Sequence, residues 1–171
     1  MQKRRTARVV LLDRDNRILL MKGRSRSKAA AKGVWFTIGG GLEPGEDVHA
    51  AAAREIVEET GLSDVRLGEA VWRGEAIIHD AEGAPVHFIE TFLVAFTDSD
   101  AALQDRWGDG EWAMVEALRW WDLEALRRTD ETVYPEGLAE LLEDLIAGRR
   151  PDQPLLIRTV DGPIRPIPRL P

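Results

Sequence analysis

Apolar side chains near the start of the chain fall into short runs separated by polar turns. Residues 7–12 and 18–21 are two such runs joined by Asp-Arg-Asp-Asn, which is typical of a β-hairpin. Residues 34–38, Val-Trp-Phe-Thr-Ile, predict a third strand, and glycines follow it. The stretch 23–33 carries Ser, Ala and Lys without strand character, so we predict a loop there.

The middle of the chain predicts a long hairpin. Residues 67–79 and 86–97 read as two strands around the turn Asp-Ala-Glu-Gly-Ala-Pro. In the second strand Glu90 interrupts a face of Val and Phe side chains, and a carboxylate in such a place is costly unless it is paired. An ion pair, for which Arg73 is a candidate partner, is the simpler interpretation. The alternative is a position that lines a functional site.

The last part of the chain predicts a short strand, two helices and a proline-rich tail. Residues 118–121 form the strand, and Asp122 caps the helix that follows it. Residues 135–147 carry leucines at helical spacing, with Pro in the first turn and Gly directly after the end. The tail could contain one further strand at 155–160.

Composition describes an ordinary globular protein. The chain has 171 residues, of which 44% are hydrophobic and 31% are charged. We predict one domain over residues 1–150, with residues 151–171 as its proline-rich C-terminal extension. Cysteine is absent, which excludes disulfides, a thiol nucleophile and thiolate-bound zinc. Without a long apolar run or a signal-peptide pattern, we expect no membrane segment and a cytoplasmic location.

A glycine-rich stretch at residues 40–62 leads into an acidic helix and carries the most information. Glu55, Glu58 and Glu59 fall within an arc of about 100° on that helix. Like charges at these spacings destabilise a helix by about 0.2–0.5 kcal/mol per pair. A hard divalent cation such as Mg²⁺, bound through oxygens, would offset this repulsion. A solvated acidic helix is the alternative.

The residues around the acidic helix predict how it is held. Glycines let the backbone approach a ligand closely, so a carbonyl near Gly39 or Gly40 could reach a metal. Asp47 or the preceding Glu could cap the first turn, and Gly61 follows the last turn as a stop signal. Arg54 could pair with acidic residues on either side and hold the loop against the helix.

The complete spacing resembles the Nudix box. Gly40, five residues, Glu46, seven residues and then Arg-Glu-Ile-Val-Glu-Glu-Thr-Gly-Leu at 54–62 agree with it at every defined position over 23 residues. The order of elements over roughly residues 5–147 is also similar to a Nudix hydrolase domain. The resemblance implies an α/β fold, a Nudix-type α/β/α sandwich with a mixed β-sheet between helices. It also implies metal-dependent hydrolysis of a diphosphate linked to another moiety.

Carried over by position, the resemblance implies roles for individual residues. Glu55, Glu58 and Glu59, with a carbonyl at Gly39, would hold Mg²⁺, and Mn²⁺ also suits these oxygen ligands. A carboxylate would deprotonate the attacking water; the candidates are Glu55, Glu58, Glu111 and Glu116. Glu116 is favoured because it lies four residues before Trp120, close to where similar enzymes carry a loop glutamate. The residues interpreted as supporting the box are Gly40, Glu46, Arg54 and Gly61.

Charge narrows the expected partners. The net charge of −7 argues against broad nucleic-acid binding, including RNA decapping. A local basic stretch nevertheless precedes the box, and it contains Lys22, Arg24, Arg26, Lys28 and Lys32. It would suit an anionic phosphate ester, with Lys22 and Arg24 as substrate-binding candidates, although a solvated loop is the alternative. We expect a small-molecule phosphate substrate, and a homodimer is compatible with the sequence.

Two other functions are alternatives to a hydrolase. A Nudix-like ligand sensor without turnover would be expected to lack Glu55 or Glu58, and both are present. Isopentenyl diphosphate isomerases have a related fold and are expected to use a catalytic cysteine, which this chain lacks. A hydrolase acting on a nucleoside diphosphate linked to another moiety is therefore the primary prediction. Neither the exact substrate nor the oligomeric state follows from the sequence.

Overall fold

A computed structural model describes residues 2–23, 34–79, 83–99, 115–150 and 152–158. In chain order the elements are β1 (Gln2–Leu12), β2 (Ile18–Gly23), β3 (Val34–Gly41), α1 (Val48–Thr60), β4 (Val65–His79), β5 (Pro85–Thr97), β6 (Val115–Trp121), α2 (Leu123–Arg128), β7 (Thr132–Val133), α3 (Leu138–Ile146) and β8 (Leu155–Arg158). The predicted strands and helices are present in the predicted order, and β7 is an addition.

The strands within these ranges form one mixed sheet. Its order is β6-β2-β3-β1-β5-β4-β8, with β7 paired to β3. The pairs β1–β5, β4–β8 and β3–β7 are parallel, and the other pairs are antiparallel. The mixed sheet predicted from the sequence is therefore confirmed.

Helices cover both faces of the sheet. On one face Ala51, Ala52 and Ile56 of α1 pack in an apolar cluster with side chains of β1, β3 and β5. On the other face α2 and α3 contribute a second cluster, in which Leu142 of α3 is fully buried. The structure thus has the α/β/α layers expected from the sequence, with an apolar core on each side of the sheet.

Successive side chains of β1 point to opposite faces of the sheet, and this alternation decides which of them reach the site. Val9 and Leu11 belong to the α1 cluster, whereas Val10 belongs to the α2–α3 cluster. Because successive strand residues point to opposite faces, Arg8 shares the face of Val10. The register with β5 sets Thr6 opposite Glu90 on that same face.

Several predicted boundaries shift because pairing partners are distant in sequence. β1 begins at Gln2 rather than at residue 7, since its polar first residues pair with β5 along residues 86–89. The last helix begins at Leu138 rather than Pro135. Of the predicted strand 155–160, the described part is β8, which pairs with β4.

Other predictions fall outside the described residues, among them Arg24, Glu111 and the tail from 159 onward. No helix in the described ranges is long and apolar enough to cross a bilayer.

Candidate active site

The ends of α1 are fixed by local contacts. The Asp47 side chain accepts a hydrogen bond of 2.8 Å from the Ala50 N–H and caps the first turn. At the other end Gly61 has φ 68°, a left-handed conformation that glycine adopts without strain, and its N–H donates to the Val57 carbonyl. The helix predicted from the sequence is therefore held at both ends, which keeps its glutamates beside the end of β3.

Arg54 ties the loop after β3 to the acidic face of α1. Its Nε and Nη2 donate to the two carboxylate oxygens of Glu46 at 2.8 and 3.0 Å, and Nη2 also donates to the Gly41 carbonyl at 2.9 Å. Its Nη1 contacts Glu55 at 2.8 Å and Glu58 at 3.1 Å. One guanidinium thus holds three carboxylates and one backbone carbonyl of the box.

This network fixes the charge state of Glu46. The hydrogen bond from Arg54 lowers the pKa of Glu46 to about 2, with help from the Glu43 N–H. Glu46 is therefore a carboxylate at neutral pH, and its charge is compensated by Arg54 rather than available to a metal.

Glu59 lies in a different environment. Its Oε2 accepts a hydrogen bond of 2.8 Å from the Gly39 N–H. The pKa of Glu59 is raised to about 8, mainly by burial and in addition by the like charges of Glu55 and Glu58, while the Gly39 N–H and Arg8 oppose the rise. A nearby cation would stabilise the ionised form of such a carboxyl group.

Two glycines allow this close arrangement. Gly39 has φ 131°, and a Cβ built on it would lie 2.0 Å from the Ala7 carbonyl oxygen. A Cβ on Gly40 would lie 2.3 Å from Oε1 of Glu55, so that carboxylate rests directly on the backbone. Any side chain at either position would displace β3 or the glutamate.

The donor set fits a hard divalent cation. In the described ranges no three acidic or histidine side chains already enclose a single point, since Arg54 engages Glu55 and Glu58 and the Gly39 N–H engages Glu59. Each of these glutamates nevertheless keeps one oxygen outside the described hydrogen bonds. Carboxylate oxygens alone suit Mg²⁺ or Mn²⁺ and not a soft metal.

Arg8 and Glu90 form a second charged unit beside Gly39. Arg8 Nε lies 2.9 Å from Glu90 Oε1, and Arg8 Nη1 donates to the Gly39 carbonyl at 3.0 Å. The partner of Glu90 is therefore Arg8 and not Arg73, which pairs opposite Thr91 on the other face of the sheet. The sequence analysis did not identify Arg8 as a functional residue. Its position as a single arginine inside an apolar strand is the signal that could have identified it.

Lys22, a predicted substrate-binding residue, has a partner inside the protein. Its Nζ lies 2.7 Å from Glu131 Oε2, and that oxygen also accepts a hydrogen bond of 2.9 Å from Trp35 Nε1. The hydrogen bonds from Lys22 and Trp35 lower the pKa of Glu131. A substrate phosphate would have to compete with Glu131 for Lys22. Arg24 and the Glu116 side chain lie outside the described residues, so their roles stay predictions.

A cleft of about 570 Å³ opens at the outer end of β1. Its lining includes Lys3, Arg4 and Arg5 on one side and residues of the loop that starts at Gly41, including Glu46, on the other. Within the described residues the three basic side chains have no ion-pair partner, and all three are exposed. The cleft joins a positive surface to the acidic box, a feature that the sequence analysis did not predict.

Comparison with known proteins identifies the fold family. A family model for the NUDIX domain matches residues 2–145 of the chain. The chain belongs to the Nudix family. The predicted family and the hydrolase class are therefore confirmed. The predicted box spans the end of β3, the following loop and α1.

Relatives of this Nudix chain are named for different activities. The nucleoside triphosphatase NudI of Salmonella paratyphi B is 30% identical over 142 residues, which cover 80% of this chain and 99% of that protein. The m7GpppN-mRNA hydrolase NUDT17 of Xenopus laevis is 34% identical over 123 residues, 67% of this chain. The chain spans only 40% of the length of the frog protein.

Solved structures agree on the Nudix fold. The MutT Nudix hydrolase from Burkholderia pseudomallei has a TM-score of 0.55 at 28% identity, with 84% of this chain and 98% of that chain covered. The Nudix domain of Shewanella oneidensis NrtR, in complex with ADP-ribose, has a TM-score of 0.60 at 18% identity, with 85% and 89% covered. The latter similarity concerns the fold alone.

Proposed function

We propose that this Nudix protein is a Mg²⁺-dependent hydrolase that cleaves a pyrophosphate bond in a nucleoside diphosphate linked to another moiety. The observation that carries the proposal is the convergence of Glu55 and Glu59 on the Gly39–Gly40 backbone. Arg54 adds Glu58 to the same group. Glu59 has a raised pKa beside two further carboxylates, and a cation bound near them would stabilise the ionised form of each.

The glutamates are proposed to bind the metal or to accept a proton, and Glu55 and Glu58 are candidates for both roles. Glu55, Glu58 and Glu59 would hold Mg²⁺, and Mn²⁺ suits the same oxygens. The Gly39 carbonyl, the fourth proposed ligand, would have to share its oxygen with the hydrogen bond from Arg8. When bound, such an ion neutralises charge on the phosphate oxygens. Glu55, Glu58 and Glu116 are the candidates to accept the proton of the attacking water. Glu58 is about half exposed, at 53%, against 12% for Glu55, which makes Glu58 the more accessible of the box carboxylates.

The cleft beside the box supports a substrate with anionic groups on both sides of the scissile bond. Lys3, Arg4 and Arg5 lie next to the loop that Arg54 fastens to α1. Cations in a cleft attract and orient phosphate groups. Lys22 and Arg24 remain proposed contacts from the basic stretch before β3.

A nucleotide of small size is favoured over a capped RNA. NudI, a nucleoside triphosphatase by name, matches this chain over almost its whole length, whereas the mRNA hydrolase is matched over 40% of its length. The net charge of −7 also disfavours a long polyanion. A cytoplasmic location and a homodimer are part of the same proposal.

A substrate panel tests the proposal. The protein would be incubated with Mg²⁺ and nucleoside triphosphates, ADP-ribose, dinucleoside polyphosphates and a capped dinucleotide, and the products identified by mass. Hydrolysis in ¹⁸O-labelled water would identify the attacked phosphorus. We expect cleavage of at least one nucleotide and none in the Glu58→Gln variant. Binding of a nucleotide without any turnover in Mg²⁺ or Mn²⁺ would overturn the hydrolase proposal in favour of a sensor.

A further inference from the structure

We propose that Arg8, anchored by the Glu90 carboxylate, is a positioning residue that fixes the backbone at Gly39 and thereby the orientation of Glu59. The inference rests on the proposed function in one respect, namely that Glu59 acts at the site. Neither Arg8 nor Glu90 belongs to the box, and they lie on different strands from it. They would form a support that reaches the box from the other face of the sheet.

The geometry gives Arg8 two acceptors at once. Its Nε contacts Glu90 Oε1 at 2.9 Å, and its Nη1 donates to the Gly39 carbonyl at 3.0 Å. The strand register explains the reach: Arg8 lies directly opposite Gly39 on β3, while Glu90 on β5 is diagonal to it, opposite Thr6. A planar guanidinium with a fixed fork of donors can span these two acceptors, and a lysine ammonium cannot hold both in the same geometry.

Gly39 is the point at which this support acts. Its carbonyl accepts from Arg8 and its N–H donates to Glu59 Oε2 at 2.8 Å. These groups belong to the two peptide units on either side of the Gly39 Cα, so the two bonds together restrain both of its backbone dihedrals. Glycine has the widest conformational freedom of any residue, and restraint must come from such outside contacts.

The burial of Glu90 argues that the pair has more than a packing role. Glu90 is 8% exposed and interrupts a face with Val86, Phe92 and Val94, which are buried. An apolar residue there would fill the same space without the desolvation cost of a charge. The pair therefore holds the Arg8 guanidinium against the Gly39 carbonyl, on the face of the sheet opposite α1.

The test compares Arg8→Lys, Glu90→Gln and their double variant with a matched control. The control is Glu75→Gln, because Glu75 forms a 2.7 Å contact with His87 on the same β4–β5 hairpin with similar exposure. Glu75 lies opposite Ile89, on the face of the sheet away from Glu90. The readouts are kcat and KM on a substrate from the panel, the ¹H–¹⁵N shift of the Gly39 amide without metal, and the Mg²⁺-induced change in Tm.

A positioning role predicts a specific pattern. Arg8→Lys and Glu90→Gln should each lower kcat by about 3- to 10-fold while KM changes less than about twofold, because misplaced catalytic groups act mainly on the transition state. The Gly39 amide shift should move in both variants, and the Mg²⁺-induced rise in Tm should shrink. The double variant should be little worse than either single one, since both break the same support. Glu75→Gln should match the wild type in every readout.

Two results would overturn the proposal. A raised KM with an unchanged Gly39 amide shift would make Arg8 a direct phosphate contact, and unchanged kcat and shift would make the pair structural only. If Arg8→Lys fails to fold, the nearly isosteric Glu90→Gln decides on the same readouts. The amide shift and the Tm change need no turnover, so they test the support even if the wild type hydrolyses nothing and the proposed function fails.

Discussion

Arg54 and Arg8 both contact groups at the candidate site, but their partners lie at very different distances along the chain. Every described partner of Arg54 lies within 13 residues of it along the chain, and Glu55 is its direct neighbour. The partners of Arg8 are 31 and 82 residues away. The Arg54 network follows from a loop and a helix that are contiguous in sequence. The Arg8 network exists only because β1 lies between β3 and β5 in the sheet.

This difference distinguishes two kinds of support for an active site. One is formed by residues that are close together in sequence, and the other by residues that only strand pairing brings together. A local network is preserved wherever the loop and helix are preserved. A support assembled from three strands depends on register, since a shift of one residue would turn Arg8 to the opposite face. We expect the local network to set whether chemistry occurs, and the distant pair to tune how well it is aligned.

The largest expected effect lies within the local network. Glu58→Gln keeps the shape of the side chain and removes a negative ligand that is also a candidate base, so activity should fall by about 10²-fold or more. Thermal unfolding should be nearly unchanged, because Glu58 is half exposed. The control is Glu124→Gln on α2, which removes an exposed i,i+4 ion pair with Arg128. Near-normal kcat for Glu58→Gln at saturating metal would mean that the box glutamates are not catalytic here.

Arg54→Lys breaks the local network without removing its charge. A lysine can contact only part of the set formed by Glu46, Glu55, Glu58 and the Gly41 carbonyl, so we expect kcat to fall by about tenfold or more. Steady-state kinetics beside Arg127→Lys, which alters an exposed pair with Glu143, would measure this. An effect smaller than that of Arg8→Lys would reverse our ranking of the two networks.

The loop glutamates provide a milder test. Glu116→Gln should lower kcat more than it raises KM if its carboxylate positions the attacking water, and Glu111→Gln should be milder. Side-by-side kinetics of the two variants would assign the base. If neither changes kcat by more than about twofold, Glu55 or Glu58 takes that role.

Metal binding should be visible without chemistry. An ion that binds only the folded protein stabilises it by about 2.7 kcal/mol at 100 times its Kd, which for a chain of this size is a rise in Tm of several degrees. Differential scanning fluorimetry with millimolar MgCl₂, and with KCl at equal ionic strength as the control, would detect it. Glu59→Gln should reduce the shift. The absence of any shift in the wild type would contradict a site that is ready for Mg²⁺.

Features that depend on contiguous residues were determined by the sequence alone. An acidic helix within the box, a cap at Asp47 or Glu46, a stop at Gly61 and a pairing of Arg54 with nearby acidic residues all follow from spacings of a few residues. The structure contains them as α1 with its Asp47 cap, its Gly61 stop and the Arg54–Glu46 ion pair. The approach of a backbone carbonyl at Gly39 or Gly40 to a metal stays a prediction. Short-range geometry is nearly independent of the rest of the fold, so these predictions were possible.

Only the tertiary structure decided the partners of residues that are far apart in sequence. Glu90 was recognised as a carboxylate that needs a partner, but its partner is Arg8 and not Arg73. Lys22 was predicted to face a substrate, and in the structure its ammonium contacts Glu131, 109 residues away. Spacing along a chain gives the face on which a strand residue lies, but strand order and register determine what it meets there. The sequence alone therefore predicts the box and the class of reaction, whereas the contact between Arg8 and Glu90 depends on the order of β3, β1 and β5 in the sheet.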